Sequence, residues 1–392
     1  MGSALTPPTT VATDQMNALR GEVRAFLAEE IAAGRLTPWI DTWLIRWDED
    51  FTRRLAARGW VGMTIPTEYG GHGRTFLERF VVTEELLSVG APVAAQWIAD
   101  RQIAPSLLRY GTEEQKREYL PRIAAGDCFF GIGMSEPDSG SDLASVRTKG
   151  VRVDGGWSIT GTKVWTSGAQ HAEAFFVLCR TEPLDTSNRH AGLSQFIVDL
   201  RSEGVAIRPI VSLSGDRHFN EVVLEDVFVP DSKVFGVPGN GWEQVNSELA
   251  FERSGPERFL SSFRLFAAEV GAVAAGALPA RTDLGRSVAR LAGLHALSQN
   301  VAGALQRGEA ADTAAALVKV LGTTMEGDIV DVVSTRLGDE LTPGSAGTNS
   351  GAAVEEIQGL LRAGLHQRPG FTLRGGTNEI LRGVIARGLG MR

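Results

Sequence analysis

The chain has only two cysteines in 392 residues, Cys128 and Cys179, and they do not stand at metal-ligand spacing. So few thiols exclude a disulfide-stapled scaffold and point to a reducing, cytoplasmic compartment. The six histidines, His72, His171, His190, His218, His295 and His366, are scattered, with no HExxH or other close pair to suggest a metal site. Positive charge is short as well: 39 Lys and Arg against 47 Asp and Glu leave a net charge of −8, the opposite of the basic stripe of a nucleic-acid binder. No apolar run reaches about 18 residues, so no transmembrane helix is expected. The opening "MGSALTPPTTVATD" lacks the basic start and apolar core of a secretory signal and reads as a short flexible lead. A P-loop and a Gly-x-Ser-x-Gly elbow are missing. In "GIGMSE" Glu136 stands where a dinucleotide fingerprint needs its third glycine, which argues against a Rossmann fold.

What is present is a globular composition, 43% hydrophobic and 22% charged, enough for one large or two to three ordinary domains. "DQMNALRGEVRAFLAEEIAAG" has helical spacing, with Asp14 as the expected N-cap and Gly34 as the stop. "FTRRLAARGW", "ERFVVTEELLSVG" and "GTEEQKREYLPRIAAGD" repeat that pattern, and "IPTEYGGHG" is a loop. The period then shortens. "GVRVDGGWSITGTKVWTSG" carries a hairpin signal at Asp154-Gly155-Gly156. "AFFVLCR", "SQFIVDL", "GVAIRPI" and "NEVVLEDVFVP" follow as strands. From about Asn240 the chain returns to long Ala/Leu-rich helices, interrupted by a loop in "GDELTPGSAGTNSGAAVEE". The expected domains are 1–128 helical, 129–237 β, and 238–392 helical.

Two segments suggest a ligand. "MSEPDSGSDLAS", Met134 to Ser145, offers backbone N–H groups and hydroxyls to a polar edge or a phosphate, or is an ordinary turn between strands. "KVWTSGAQ" sets Trp165 among hydroxyls at a strand end, as a stacking surface for a flat cofactor or as a core indole at a sheet edge.

With "IPTEYGG", "YGTEEQK", "FNEVVLEDVFVP" and "GGTNEI", these segments occur in the order of the acyl-CoA dehydrogenases, which the chain resembles from about residue 14 onward. The resemblance implies an α+β multidomain fold: a helical N-domain, a central β-barrel domain and a C-terminal four-helix bundle. It implies FAD as cofactor, an acyl-CoA substrate, an electron-transfer flavoprotein as acceptor, and a dimer or tetramer. Met134 and Ser135 resemble flavin-ring contacts, Trp165 the indole beside the flavin, and Ser167 the hydroxyl near N5. Thr377 and Glu379 resemble the pair at the flavin diphosphate and ribityl region. Ser141 resembles the serine near the thioester and CoA, and Trp97 and Gln102 lie in "APVAAQWIADRQ", which resembles the floor of the acyl pocket. Arg281, in "ARTDLG", resembles an arginine reaching a neighbouring subunit's FAD, although Leu284 replaces the phenylalanine of that motif. "LGDELTPGSAGTNSG" has neither the glutamine nor the paired glycines of the family segment that touches a neighbour's FAD. Some bacterial members altered in this way work as heteromers, and this chain fits such a pair.

The implied reaction is α,β-dehydrogenation of the thioester: a carboxylate removes the α-proton while hydride leaves the β-carbon for flavin N5. The family often carries that carboxylate just before the Gly-Thr pair, where this chain has Gly375. A minority carries it in a Leu-x-x-Glu-Arg pattern, which "LAFERSGPERFL" matches with Glu252 as base and Arg253 after it. Pro256 cannot donate to the carbonyl of residue 252, so the helix is expected to open there. Glu248, one turn earlier, would raise the pKa of Glu252 if both are desolvated, and is the alternative carboxylate. The resemblance implies that Gly375 then offers its backbone N–H to the thioester carbonyl. Two other functions share this fold: an oxygen-using oxidase or monooxygenase, and a partner subunit that completes another chain's FAD site.

Overall fold

The computed structural model describes residues 5–252, 255–340 and 351–391. In chain order the first helices are α1 (Asp14–Ala32), α2 (Thr42–Ile45), α3 (Glu49–Ala57), α4 (Phe76–Val89), α5 (Ala94–Ile98), α6 (Ala104–Tyr110) and α7 (Glu113–Ala124). The strands follow: β1 (Phe130–Gly133), β2 (Lys149–Val153), β3 (Gly156–Ser167), β4 (Ala174–Arg180), β5 (Leu193–Asp199), β6 (Val205–Ile210), β7 (Phe219–Pro230) and β8 (Val234–Phe235). The chain ends in α8 (Gly241–Glu252), α9 (Phe263–Ala274), α10 (Thr282–Gln306), α11 (Asp312–Glu340), α12 (Gly351–Phe371) and α13 (Asn378–Gly388). The expected order of helices, β-domain and helices is therefore present.

The chain folds as two compact units, Met1–Trp43 with Thr75–Pro92 and Arg253–Arg392, and Leu44–Arg74 with Val93–Glu252. The second unit holds one eight-stranded sheet in the order β6-β7-β3-β2-β4-β5-β8, with β1 beside β4. The hairpin at Asp154-Gly155 joins β2 to β3, which pair antiparallel from Val153↔Gly156 to Lys149↔Thr160. Six of the seven residues of β4 are buried, which is why "AFFVLCR" reads as a continuous apolar run. Phe175, Val177 and Cys179 pack inside the sheet with Phe196, Val222 and Leu224. Phe176 faces the other way, onto Ile103, Leu107 and Leu120 of the flanking helices.

In the first unit α11 packs against α9, α10, α12 and α13, and α4 against α1 and α10. Arg20 of α1 pairs with Glu84 and Glu85 of α4, and His295 of α10 also meets Glu84. Three local expectations are corrected. Thr13, not Asp14, caps α1: its hydroxyl accepts from the Met16 N–H, and Asp14 sits in the first turn. The opening segment is tied down at Thr10, whose N–H donates to Asn300 Oδ1 at 2.8 Å and whose carbonyl accepts from Gln299 at 2.6 Å; residues 1–4 lie outside the described residues. Of the loop expected over 338–356, residues 338–340 belong to α11 and 351–356 to α12; 341–350 lie outside the described residues. No helix among the described residues is long and apolar enough to cross a membrane. Cys128 and Cys179 are buried free thiols.

Candidate active site

In the second unit the candidate residues gather at the end of β3. Lys163 pairs with Val222 and Thr166 with Asn220, so three steps along β3 oppose two along β7. That bulge re-aims the residues inside it. Thr166 stays buried, while Trp165 is 56% exposed with φ +62°. The core-indole alternative is thereby overturned. A tryptophan in left-handed backbone costs on the order of 1 kcal/mol, and such strain gathers at functional sites. Phe219 steadies the indole from the side, its ring edge-on at 5.6 Å. Ser167, half-buried, ends the strand. Gly168 follows at φ +67°, where an added Cβ would come within 2.5 Å of the Trp47 ring. Only glycine fits that approach.

Met134 and Ser135 lie beside this bulge. The Val164 N–H donates to Ser135 O at 2.9 Å, and Lys163 Nζ donates to Met134 O at 3.1 Å. Beneath them is an ion pair that sequence reasoning missed. Lys163 Nζ reaches Glu136 Oε1 at 2.8 Å, and the peptide N–H groups of Arg147 and Thr148 donate to the same carboxylate at 2.7 and 2.9 Å. Burial pushes the Glu136 carboxyl up, but Lys163 and these donors outweigh it and hold it below the usual carboxylate range. Burial lowers the Lys163 ammonium against the pull of Glu136. Glu136 is thus an ionised hub around which the 134–148 loop turns. Ser141 is exposed on that loop.

Trp97 and Gln102 are both buried. Gln102 belongs to a π-helical turn, Ala99–Ile103, inserted between α5 and α6, a distortion frequent at functional sites. The Arg101 guanidinium covers the Trp97 ring at 4.7 Å. Helix α8, which ends at Glu252, packs on this turn. The side chains of Glu248 and Glu252, and all of Arg253, lie outside the described residues. The chain resumes as a 3-10 turn at Pro256–Arg258.

In the first unit Gly375, Thr377 and Glu379 fall together where the 371–378 turn enters α13. The Thr377 hydroxyl caps the helix by accepting from Ile380 N at 3.3 Å. Hydrogen bonds at that helix start, with its own N–H and with Thr377, hold the exposed Glu379 carboxyl low. Arg281 is not among them: it is exposed, in extended backbone just before α10. The turn rests on a polar stripe of α11. Lys319 Nζ donates to Thr372 O and Asn378 Oδ1 at 2.9 and 2.8 Å, and Thr323 reaches Asn378 Oδ1 at 3.2 Å. Glu326 completes the stripe, accepting from the Ser261 N–H at 2.6 Å. No metal-holding group of His, Cys, Asp and Glu occurs among the described residues.

Burial pushes Glu326 up to about 7, against the pull of Arg374. A carboxyl raised in the folded state keeps its proton where the unfolded chain has lost it. Stability therefore falls as pH rises from about 4.5 to about 7, by on the order of 3 kcal/mol, and the loss then levels off. In Glu326→Gln the difference in urea unfolding free energy between pH 5 and pH 8 is expected to shrink by that order. An unchanged difference would assign the titration to another group.

Similarity to known proteins covers both units. The acyl-CoA dehydrogenase N-terminal domain model matches residues 13–127, and the middle domain model residues 131–227. Acyl-CoA dehydrogenase FadE29 of Mycobacterium tuberculosis is 31% identical over 346 residues, 85% of this chain and 86% of that protein. Acyl-CoA dehydrogenase IpdE1 of the same organism is 39% identical over 241 residues, 60% of this chain and 62% of that one. Two further relatives at 38% and 41% identity are spanned over 50% and 27% of their lengths. The solved structure of the Tcur3481-Tcur3483 steroid ACAD superposes with a TM-score of 0.82 at 31% identity, covering 97% of this chain and 99% of that one.

Proposed function

Because this chain belongs to the acyl-CoA dehydrogenase family, we propose that it is an FAD-dependent enzyme that dehydrogenates an acyl-CoA thioester between its α and β carbons. The observation that carries the reading is Trp165, an exposed indole set out on a bulge in strained backbone, next to the half-buried hydroxyls of Ser135 and Ser167. An open aromatic face among small donors fits the ring of a flavin, and family members are FAD-dependent. Met134, Ser135, Trp165 and Ser167 would hold that ring. Thr377 and Glu379, at the start of α13, would hold the diphosphate and ribityl region, where a helix N-terminus favours negative charge. Arg281 would reach the FAD of a neighbouring subunit. When bound, FAD supplies the hydride acceptor.

The chain's own part is to move one proton and to stabilise one oxygen. Glu252 is the proposed base, with Arg253 beside it. Support comes from its position on α8, a helix that packs on the π turn carrying Gln102. A carboxylate in a dry pocket has a raised pKa suited to removing an α-proton. The N–H of Gly375 would donate to the thioester oxygen as charge develops. Ser141 would meet the thioester and CoA, and Trp97 and Gln102 would shape the acyl pocket.

We propose an electron-transfer flavoprotein as acceptor, and an assembly of two or four chains. A heteromer is favoured by the missing Gln-x-x-Gly-Gly segment, and the similar steroid ACAD is itself named for two proteins. Steroid-derived thioesters therefore belong in the first substrate screen, beside linear and branched ones. Purified protein, alone or mixed with its partner chain, should take up FAD to at most one per chain and reduce an artificial acceptor with one of these thioesters. Protein that takes up no FAD in either setting contradicts the reading. Rapid reoxidation of the reduced protein by air would favour the oxidase alternative.

A further inference from the structure

The π turn and the helix α6 that follows it present two faces of different character. Ile103 and Leu107 pack onto Phe176 and the sheet. Gln102, Ser106 and Arg109 are spaced as one stripe of a helix. That stripe faces α8, since Arg109 Nη1 donates to Ser247 Oγ at 2.9 Å and Tyr110, the next residue, reaches Glu243 at 3.4 Å.

Two residues of the stripe are polar, buried and unused. Gln102 is 7% exposed and Ser106 1%. Among the described residues the Ser106 hydroxyl has no hydrogen-bond partner, and none engages the Gln102 amide. Buried hydroxyls elsewhere in the helices turn back onto the carbonyl four residues earlier, Thr83 onto Arg79 at 2.7 Å and Thr323 onto Lys319 at 2.8 Å. Ser106 does not. A buried donor or acceptor left unpaired weakens a fold more than an apolar residue in its place, so packing alone does not account for this pair. A few open polar groups in an otherwise apolar wall are how a pocket orients what it binds.

We propose that this enzyme acts on acyl groups that carry a neutral oxygen of their own, a hydroxyl or a ketone, and that Gln102 and Ser106 bind it. This rests on the reading that Trp97 and Gln102 shape the acyl pocket. An amide and a hydroxyl both donate and accept, so together they hold either kind of oxygen. Neither is charged, and the cation of the stripe, Arg109, is exposed and engaged by Ser247. A carboxylate on the acyl chain would be buried there without a counter-charge. The bound oxygen lies beyond the β carbon, because the α and β carbons give up the hydrogens. It takes no part in the reaction and serves to select the substrate.

The test uses FAD-loaded enzyme, with its partner chain where one is needed, and thioesters matched in carbon skeleton. These are octanoyl-CoA and dodecanoyl-CoA with their ω-hydroxy and penultimate-keto derivatives, and cyclohexylpropanoyl-CoA with its ring-hydroxyl and ring-ketone derivatives. In at least one set the oxygenated member should exceed its parent by about 10²-fold in kcat/KM, since a site built to hydrogen-bond a group rejects an analogue lacking it. Gln102→Leu should close that gap from both sides, slowing the oxygenated thioester and speeding its parent. If Gln102→Leu does not fold, the smaller change Ser106→Ala carries the same expectation. Equal losses for both members would mean that the two groups hold the helix pair, and overturn the proposal. So would parents preferred in every set, or a preference for octanedioyl-CoA, whose far end is a carboxylate. No flavin reduction by any thioester overturns instead the dehydrogenase reading on which the proposal rests.

Discussion

Lys163→Met should destabilise the sheet unit by about 3–5 kcal/mol, because it strands a buried carboxylate. Lys163 is fully buried, and the Glu136 side chain is 7% exposed. Without the ammonium, Glu136 keeps only the two peptide donors of Arg147 and Thr148. The reverse change, Glu136→Leu, strands Lys163 in the same way. The double variant should be less damaged than either single one, since replacing a buried pair outright removes the uncompensated charge. Urea unfolding of the four proteins gives the coupling directly. Flavin affinity is a separate readout: Met134 O loses its donor and the 134–148 loop its hub, so the single variants should hold FAD more weakly even when folded. Single variants within about 0.5 kcal/mol of wild type would show that the pair does not anchor the 134–148 loop.

The Glu136–Lys163 pair marks the boundary of what the sequence makes legible. Patterns that repeat locally were readable. "AFFVLCR" became β4 at its own limits, and Asp154-Gly155 became the hairpin turn, because alternation and turn chemistry act over a few residues. The helix beginning near Asp14 is legible too, though its cap is Thr13, one residue before the acidic residue that the pattern favours. Glu136 and Lys163 are 27 positions apart, and Asp41 and Arg374 are 333 apart. Nothing local in either partner signals the other, and a lone carboxylate or guanidinium in sequence reads as solvated. The bulge at Trp165 was hidden for a related reason. A tryptophan in a strand pattern implies burial, and the extra residue that turns it outward shows only in the pairing with β7. The polar stripe Lys319, Thr323 and Glu326 did have a local signature, its spacing of four and three along α11, but it lies in a helix whose apolar residues masked it. The family motifs crossed these gaps because they encode the far partners implicitly.

The resemblance offers two homes for the catalytic carboxylate, and an exchange between them separates a base from an ordinary helix glutamate. Glu252→Gln should retain the fold and FAD but turn over about 10²–10⁴-fold more slowly, the usual loss when a positioned base is removed. Glu248→Gln should cost much less, because at most it relaxes the pKa of its neighbour. In the Glu252→Gln background, Gly375→Glu returns a carboxylate to the position most of the family uses. The structure limits how much activity that can restore. At φ +66° a side chain with a Cβ is strained by about 1 kcal/mol, so the turn either resists the new residue or shifts to accept it. Recovery should therefore be partial, and Gly375→Glu alone should be slower than wild type, since the displaced turn carries the proposed thioester donor. Stopped-flow reduction of the FAD-loaded variants by the acyl-CoA found in the screen measures the step directly. A wild-type rate in Glu252→Gln would mean that another group removes the proton.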